Sequence, residues 1–172
     1  MRALGAQVDY QDQVITITPG PAPSKGQILP HESGTTLRLL LPVAASICPE
    51  VDVDAKGRLP ERPLEPLMGQ MKEHGVSFSQ AKPPFTMTGK LTAGSYAMVG
   101  NVSSQFFSGL LLAAPQVGAT TVESMGKLES RDYVSLTINT MKDFGVTVES
   151  DTNDKGDDRF TIPAGSHFQG QK

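Results

Sequence analysis

Met71-Lys-Glu-His-Gly75-Val76, followed by Ser77–Gln80 and Pro84–Thr88, is the stretch from which the architecture can be read. It has the form of a helix end, a glycine that stops the helix, a short strand, a turn and a second strand. The same order stands at Met1-Arg-Ala-Leu-Gly5-Ala6 with Gln7–Tyr10 and Val14–Thr18. It stands again at Met141-Lys-Asp-Phe-Gly145-Val146 with Thr147–Ser150 and Arg159–Pro163. Gly5, Gly75 and Gly145 are spaced evenly by 70 residues. A fixed period of this length marks one supersecondary unit used several times.

Working outward, helical stretches run through Thr35–Ile47 and Arg62–His74, and recur through Ser103–Ala114 and Asp132–Phe144. Strand-like Glu50–Asp54 and Thr120–Glu123 separate the members of each pair. The unit reads helix, strand, helix, strand, strand, with Gly100-Asn-Val-Ser103 hinting at a leading strand. The expected fold class is α/β, built from repeated βαβαββ units. A partial unit covers 1–29, a second 30–99 and a third 100–172, in one incomplete domain. The first unit shows only the tail of its last helix and its two strands, so we expect a piece of a longer protein.

The chain has 172 residues, enough for a domain with its own core. Its net charge of −3, without clustered Lys and Arg, argues against nucleic acid as a partner. The apolar runs Leu37–Ile47 and Phe106–Pro115 are too short to span a bilayer, so no membrane partner is expected. The one cysteine, Cys48, has no internal partner and fits a reducing cytoplasm. It reads as a small buried hydrophobe rather than a nucleophile. Asp151, Asp154, Asp157 and Asp158 lie between two expected strands. They lack the spacing of a calcium loop and read as a solvated hairpin. The three histidines show no metal-ligand spacing.

Two of the helices lack a polar face. From Leu39 to Ala45 nothing is polar, and Phe106 to Ala114 behaves likewise apart from Ser108 and Gly109. Such helices are buried all round, and Pro42 should bend the first of them. Their starts, Ser33-Gly34-Thr35-Thr36 and Ser103-Ser104-Gln105, are small and hydroxyl-rich. Open backbone N–H groups and the helix dipole make such a start attractive to anions. Either one alone reads as an ordinary N-cap. Two equivalent starts, side by side by the symmetry of the repeat, would together hold a phosphate or carboxylate.

The second helix of each unit places an arginine near its start, Arg62 and Arg131. An arginine there opposes the dipole. An anionic ligand would offset that through two parallel hydrogen bonds. So would pairing with Glu61, Glu129 or Asp132, and on the residues alone both readings stand.

Four motifs, taken together and in order, resemble the 5-enolpyruvylshikimate-3-phosphate synthase family. They are Glu32-Ser-Gly-Thr-Thr-Leu-Arg38, Gly57-Arg-Leu-Pro-Glu-Arg-Pro-Leu64, Ser103-Ser-Gln-Phe-Phe-Ser-Gly-Leu-Leu-Leu-Ala-Ala-Pro115 and Glu129-Ser-Arg-Asp-Tyr133. The resemblance covers essentially the whole chain. It implies domains of three βαβαββ units, with buried parallel helices inside and sheets outside. It also implies an enzyme of two such domains with the reaction in the cleft between them. That reaction moves the enolpyruvyl group of phosphoenolpyruvate to the 5-hydroxyl of shikimate 3-phosphate, in aromatic amino-acid biosynthesis, with no metal or organic cofactor. By the same resemblance, Ser103, Ser104, Gln105, Ser130, Arg131 and Tyr133 meet shikimate 3-phosphate. Gly34, Thr35, Arg62 and Gln105 meet phosphoenolpyruvate or the herbicide glyphosate. No residue of this chain is assigned as catalytic.

The departures are specific. The Lys-Ser loop of the family's first unit and the whole second domain, with its acid/base carboxylates, are missing. Pro30-His31 stands where the family often has Cys-Gly, and Leu39 where some members have Pro. The expectation is a substrate-binding domain fragment that does not turn over alone. UDP-N-acetylglucosamine enolpyruvyl transferase shares the fold, but its reactive cysteine lies in a Gly-Gly-Cys loop and Cys48 lies in Ser-Ile-Cys-Pro. The remaining alternative is a free-standing non-catalytic module that self-associates through open sheet edges.

Overall fold

A computed structural model describes residues 1–171. The chain begins with a single 3-10 turn, Arg2–Leu4, and a hairpin of β1 (Gln7–Gln11) and β2 (Val14–Thr18). Two complete βαβαββ units follow. The first comprises β3 (Gly26–His31), α1 (Gly34–Ile47), β4 (Glu50–Ala55), α2 (Leu67–Glu73), β5 (Val76–Phe78) and β6 (Phe85–Gly89). The second comprises β7 (Gly94–Val99), α3 (Ser104–Val117), β8 (Thr120–Met125), α4 (Arg131–Asp143), β9 (Glu149–Thr152) and β10 (Asp158–Ile162).

Each unit forms one four-stranded sheet, in the orders β3-β4-β6-β5 and β7-β8-β10-β9. The leading pair is parallel, because a helix crosses over between its strands, and the other pairs are antiparallel. Burial alternates along β3 and β8, so each sheet turns one face to the helices and one to solvent. The sequence expectation of an α/β fold from this repeated unit is what the structure shows. The leading strands differ from it. They are Gly26–His31 and Gly94–Val99, while Gly100–Ser103 is a turn. Both stretches contain polar residues that turn outward on a half-exposed strand, which blurs the apolar signal. Residues 26–29 and 94–99 therefore belong with the units that follow them.

Helices α1 and α3 lie side by side and run in the same direction. A Cβ built on Gly109 of α3 would sit 2.6 Å from the Arg38 carbonyl oxygen and 3.3 Å from Leu39 Cα. The two backbones approach closely because Gly109 has no side chain. Leu37 and Leu41 of α1, with Phe106, Phe107, Leu110 and Leu111 of α3, form the middle of the core. Helix α3 is buried nearly all round, as its sequence requires. Helix α1 is not. Leu39, Leu40, Val43 and Ile47 are only partly covered; Val43 and Ile47 face one groove with Met1, Leu4 and Ala22, and Leu40 faces another with Met1 and Leu4. The second helix of the first unit is also shorter than expected. Residues 62–66 precede it as an irregular link, since Pro63 and Pro66 interrupt helical hydrogen bonding. Asp151, Asp154 and Asp157 sit in or beside the β9–β10 hairpin, whereas Asp158, expected with them to be solvated, is buried against Arg131. Among the described residues no helix is long and apolar enough to cross a membrane.

Candidate functional site

The starts of α1 and α3 are neighbours. Ser33 caps α1, its Oγ accepting from the Thr36 N–H at 3.1 Å. Ser103 caps α3, its Oγ accepting from the Gln105 N–H at 3.3 Å. Across the gap, Gln105 Nε2 donates to Thr35 Oγ1 at 2.8 Å. One hydrogen bond thus ties the two tips together, as the parallel packing of the helices behind them dictates.

A cleft of about 330 Å³ opens at this point. Arg38, Val102, Ser103, Ser104, Gln105, Glu129, Ser130 and Tyr133 line it. Loop 100–103 and the start of α4 form its far side, so three of the four motifs line the cleft, and the fourth meets Gly34 and Arg38 through Arg62 and Pro63. Ser104 is 7% exposed and lines the cleft from the first turn of α3, whereas Tyr133 is 67% exposed on the rim. Ser130 holds a left-handed backbone, φ 55°, and its hydroxyl does not cap α4. A non-glycine residue in that region carries local strain, of the kind that collects at ligand sites.

The two arginines of the sequence reading part company. Arg131 does not line the cleft. Its Nε donates to Asp158 Oδ1 at 2.9 Å, and its Cζ lies 5.9 Å from the Phe160 ring centroid. It thereby pins the start of α4 to β10. Its partner is a carboxylate 27 positions away rather than Glu129 or Asp132. Its expected contact with shikimate 3-phosphate finds no support in this geometry.

Arg62 remains uncommitted. It is in extended backbone after the 3-10 turn Leu59–Glu61, not at a helix start, so the dipole argument does not apply to it. The neighbouring Glu61 pairs with Lys82 at 3.0 Å. Arg62 forms no ion pair among the described residues. Its Nη1 lies 3.1 Å from where a Gly34 Cβ would be, and Arg38 Nη1 lies 3.8 Å from that same point. Two guanidinium groups therefore border Gly34, and neither has a carboxylate partner among the described residues. The pKa of Arg38 is lowered, first by burial and then by the charge on Arg62. Uncompensated like charge beside two helix starts is a setting that favours an anion.

Arg38 is the residue that the sequence reading left unassigned, although it closes the Glu32–Arg38 motif. A signal was available. It is the one charge in an otherwise apolar helix, placed one turn after Gly34 on the same face.

The EPSP synthase profile, described as EPSP synthase (3-phosphoshikimate 1-carboxyvinyltransferase), matches residues 1–172. The chain belongs to the EPSP synthase family. A 3-phosphoshikimate 1-carboxyvinyltransferase from Saccharolobus islandicus is 35% identical over 150 residues, covering 87% of this chain and 36% of the relative. One from Clostridium kluyveri is 40% identical over 121 residues, covering 69% of this chain and 28% of the relative. The chain thus spans roughly a third of the length of the curated relatives it matches. A solved structure of EPSP synthase from Acinetobacter baumannii superposes with a TM-score of 0.69 at 22% identity. That match covers 98% of this chain and 38% of the other, and shows the same fold. The EPSP synthase resemblance read from four motifs is thereby established for the family.

Proposed function

We propose that this chain supplies one substrate-binding wall of an enolpyruvyl transferase. The reaction joins phosphoenolpyruvate to the 5-hydroxyl of shikimate 3-phosphate and releases phosphate. The observation that carries this reading is the Gln105–Thr35 hydrogen bond, which joins the two helix starts beside a cleft lined by Arg38, with Arg62 next to it at Gly34. The hydroxyls of Ser103 and Ser104 and the N–H groups of the first turn of α3 suit the phosphate of shikimate 3-phosphate. Tyr133 and Ser130 offer a rim for its ring. Arg62, Gly34, Thr35 and the free N–H of Gln105 suit the carboxylate or phosphate of phosphoenolpyruvate. Donors held in place before the ligand arrives stabilise developing negative charge without reorganising. Protonation of the enol double bond and removal of the hydroxyl proton are assigned to a second domain. The chain alone is therefore a binder without turnover, acting in the cytoplasm.

Calorimetric titration of shikimate 3-phosphate into the chain tests this. Binding is expected, and Ser103→Ala with Ser104→Ala should weaken it roughly tenfold or more, the scale of lost hydrogen bonds to a charged group. Loss of the Ser103 cap also costs about 1 kcal/mol of stability, so folding is checked in parallel. Unchanged affinity in the double variant would overturn the reading, as would steady phosphate release by the chain on mixing both substrates.

One observation favours a second property. The β1–β2 hairpin leaves Tyr10, Val14, Ile15 and Ile17 more than half exposed, and in the other two units the strand equivalent to β2 pairs on both edges. Self-association through this hairpin is the expected consequence for the isolated chain. Light scattering should give a mass above that of one chain, falling to one chain when Ile15 and Ile17 become lysine. A wild-type mass of one chain at high concentration would refute it.

A further inference from the structure

Arg38 is a half-buried charge without an obvious reward for its burial. Its Cζ lies 5.4 Å from the Phe106 ring centroid, and its Nε is buried without any hydrogen-bond partner. Its Nη2 reaches the Pro63 carbonyl only at a long 3.4 Å. A leucine or methionine would fill this place at lower cost, since a buried donor left without a partner is unfavourable. The one well-placed acceptor it has is Gln105 Oε1, 3.2 Å from Nη1.

That contact has a directional consequence. A glutamine amide can be turned either way round, presenting its oxygen or its NH2 to a neighbour. Thr35 does not choose between them, because a hydroxyl both donates and accepts. A guanidinium does choose, because it only donates. With Arg38 donating on one side, Gln105 turns its oxygen inward to Arg38 and its NH2 toward Thr35. One N–H is used by Thr35 and the other is left for the cleft. The reverse orientation would aim an oxygen lone pair at any anion there.

We propose that Arg38 is a positioning residue that sets the Gln105 amide so that it donates to a carboxylate or phosphate bound between the two helix starts. This role rests on the binding reading above for its purpose, but not for its geometry. The ligand charge would also relieve the repulsion between Arg38 and Arg62, whose guanidinium groups both border Gly34.

The test begins without ligand, on the ¹⁵N-labelled full chain. The Gln105 side-chain amide should give a pair of signals distinct from exposed glutamines, with one proton slowed in exchange. In Arg38→Met these signals should move to the values of a free glutamine while the backbone signals of α1 and α3 stay dispersed. Arg38→Lys, still a pure donor, should restore them in part. Arg38→Gln gives the same reading as methionine should the methionine variant fail to fold. Gln105 signals that are unchanged in both the Met and Gln variants overturn the proposal.

A second arm uses phosphoenolpyruvate binding in a double-mutant cycle. Arg38→Met and Gln105→Met should each weaken binding about tenfold, and together no more than twofold beyond either alone. Additive losses would show that Arg38 acts on the ligand by its own charge, which also overturns the proposal. Absence of phosphoenolpyruvate binding by the wild-type chain would sink the binding reading, while the amide signals would still decide the role of Arg38.

Discussion

Gly109→Ala is expected to lower the stability of the chain by a net amount of about 2 kcal/mol and to loosen the binding cleft as it does so. Alanine is the better helix former, which returns up to about 1 kcal/mol. The added Cβ, however, would stand 2.6 Å from the Arg38 carbonyl oxygen and 3.3 Å from Pro42 Cγ. A flexible side-chain tip would swing away from such a contact. A helix backbone yields only as a whole, so α1 and α3 must separate. The clash outweighs the propensity gain because the Cβ meets backbone rather than a movable side chain, and α3 is packed on its other sides. For a chain of this length the loss corresponds to about 4–8 °C in Tm, readable by thermal or urea unfolding. The same separation stretches the Gln105–Thr35 bond, so ligand affinity should fall as well. An alanine variant as stable as wild type would show that the helices are not in backbone contact.

Arg131→Met is expected to cost about 2–3 kcal/mol. The Asp158 carboxylate is 6% exposed, and removing Arg131 leaves it buried with only the Thr152 hydroxyl and its own strand around it. Arg131 itself is 44% exposed, which keeps the figure at the low end for breaking a buried pair. Changing Asp158→Leu in the Arg131→Met background should recover part of the loss, because two apolar groups no longer leave a charge stranded. Equilibrium unfolding of the two variants measures both effects. The family resemblance placed Arg131 against shikimate 3-phosphate. If that is its role, Arg131→Met would weaken shikimate 3-phosphate binding with little change in stability. The ion pair predicts the opposite pattern.

The comparison of these two arginines shows how far the sequence could be read. Arg62 and Arg131 occupy corresponding places in the repeat and look alike locally. Nothing near Arg131 in the chain points to Asp158, because β10 reaches it only after the hairpin has folded back onto β8. Pro63 and Pro66 beside Arg62 did signal a late helix start, but nothing near Arg62 showed that its guanidinium would lie beside Gly34. The leading strands were missed for a related reason. Gly26–His31 and Gly94–Val99 are edge strands with one face in water, so half of their residues carry no apolar signal.

From the chain alone came the 70-residue period, the glycine-stopped helices, the two apolar helices and their serine caps. These depend on interactions within a few residues, or on a pattern that repeats, and such information is local. Folding in three dimensions added the choice of which arginine stays free and the amide orientation of Gln105. It also added the distance between the helix starts, which a missing side chain at Gly109 controls. Each of these depends on groups separated by tens of residues, whose meeting is set by packing rather than by propensity.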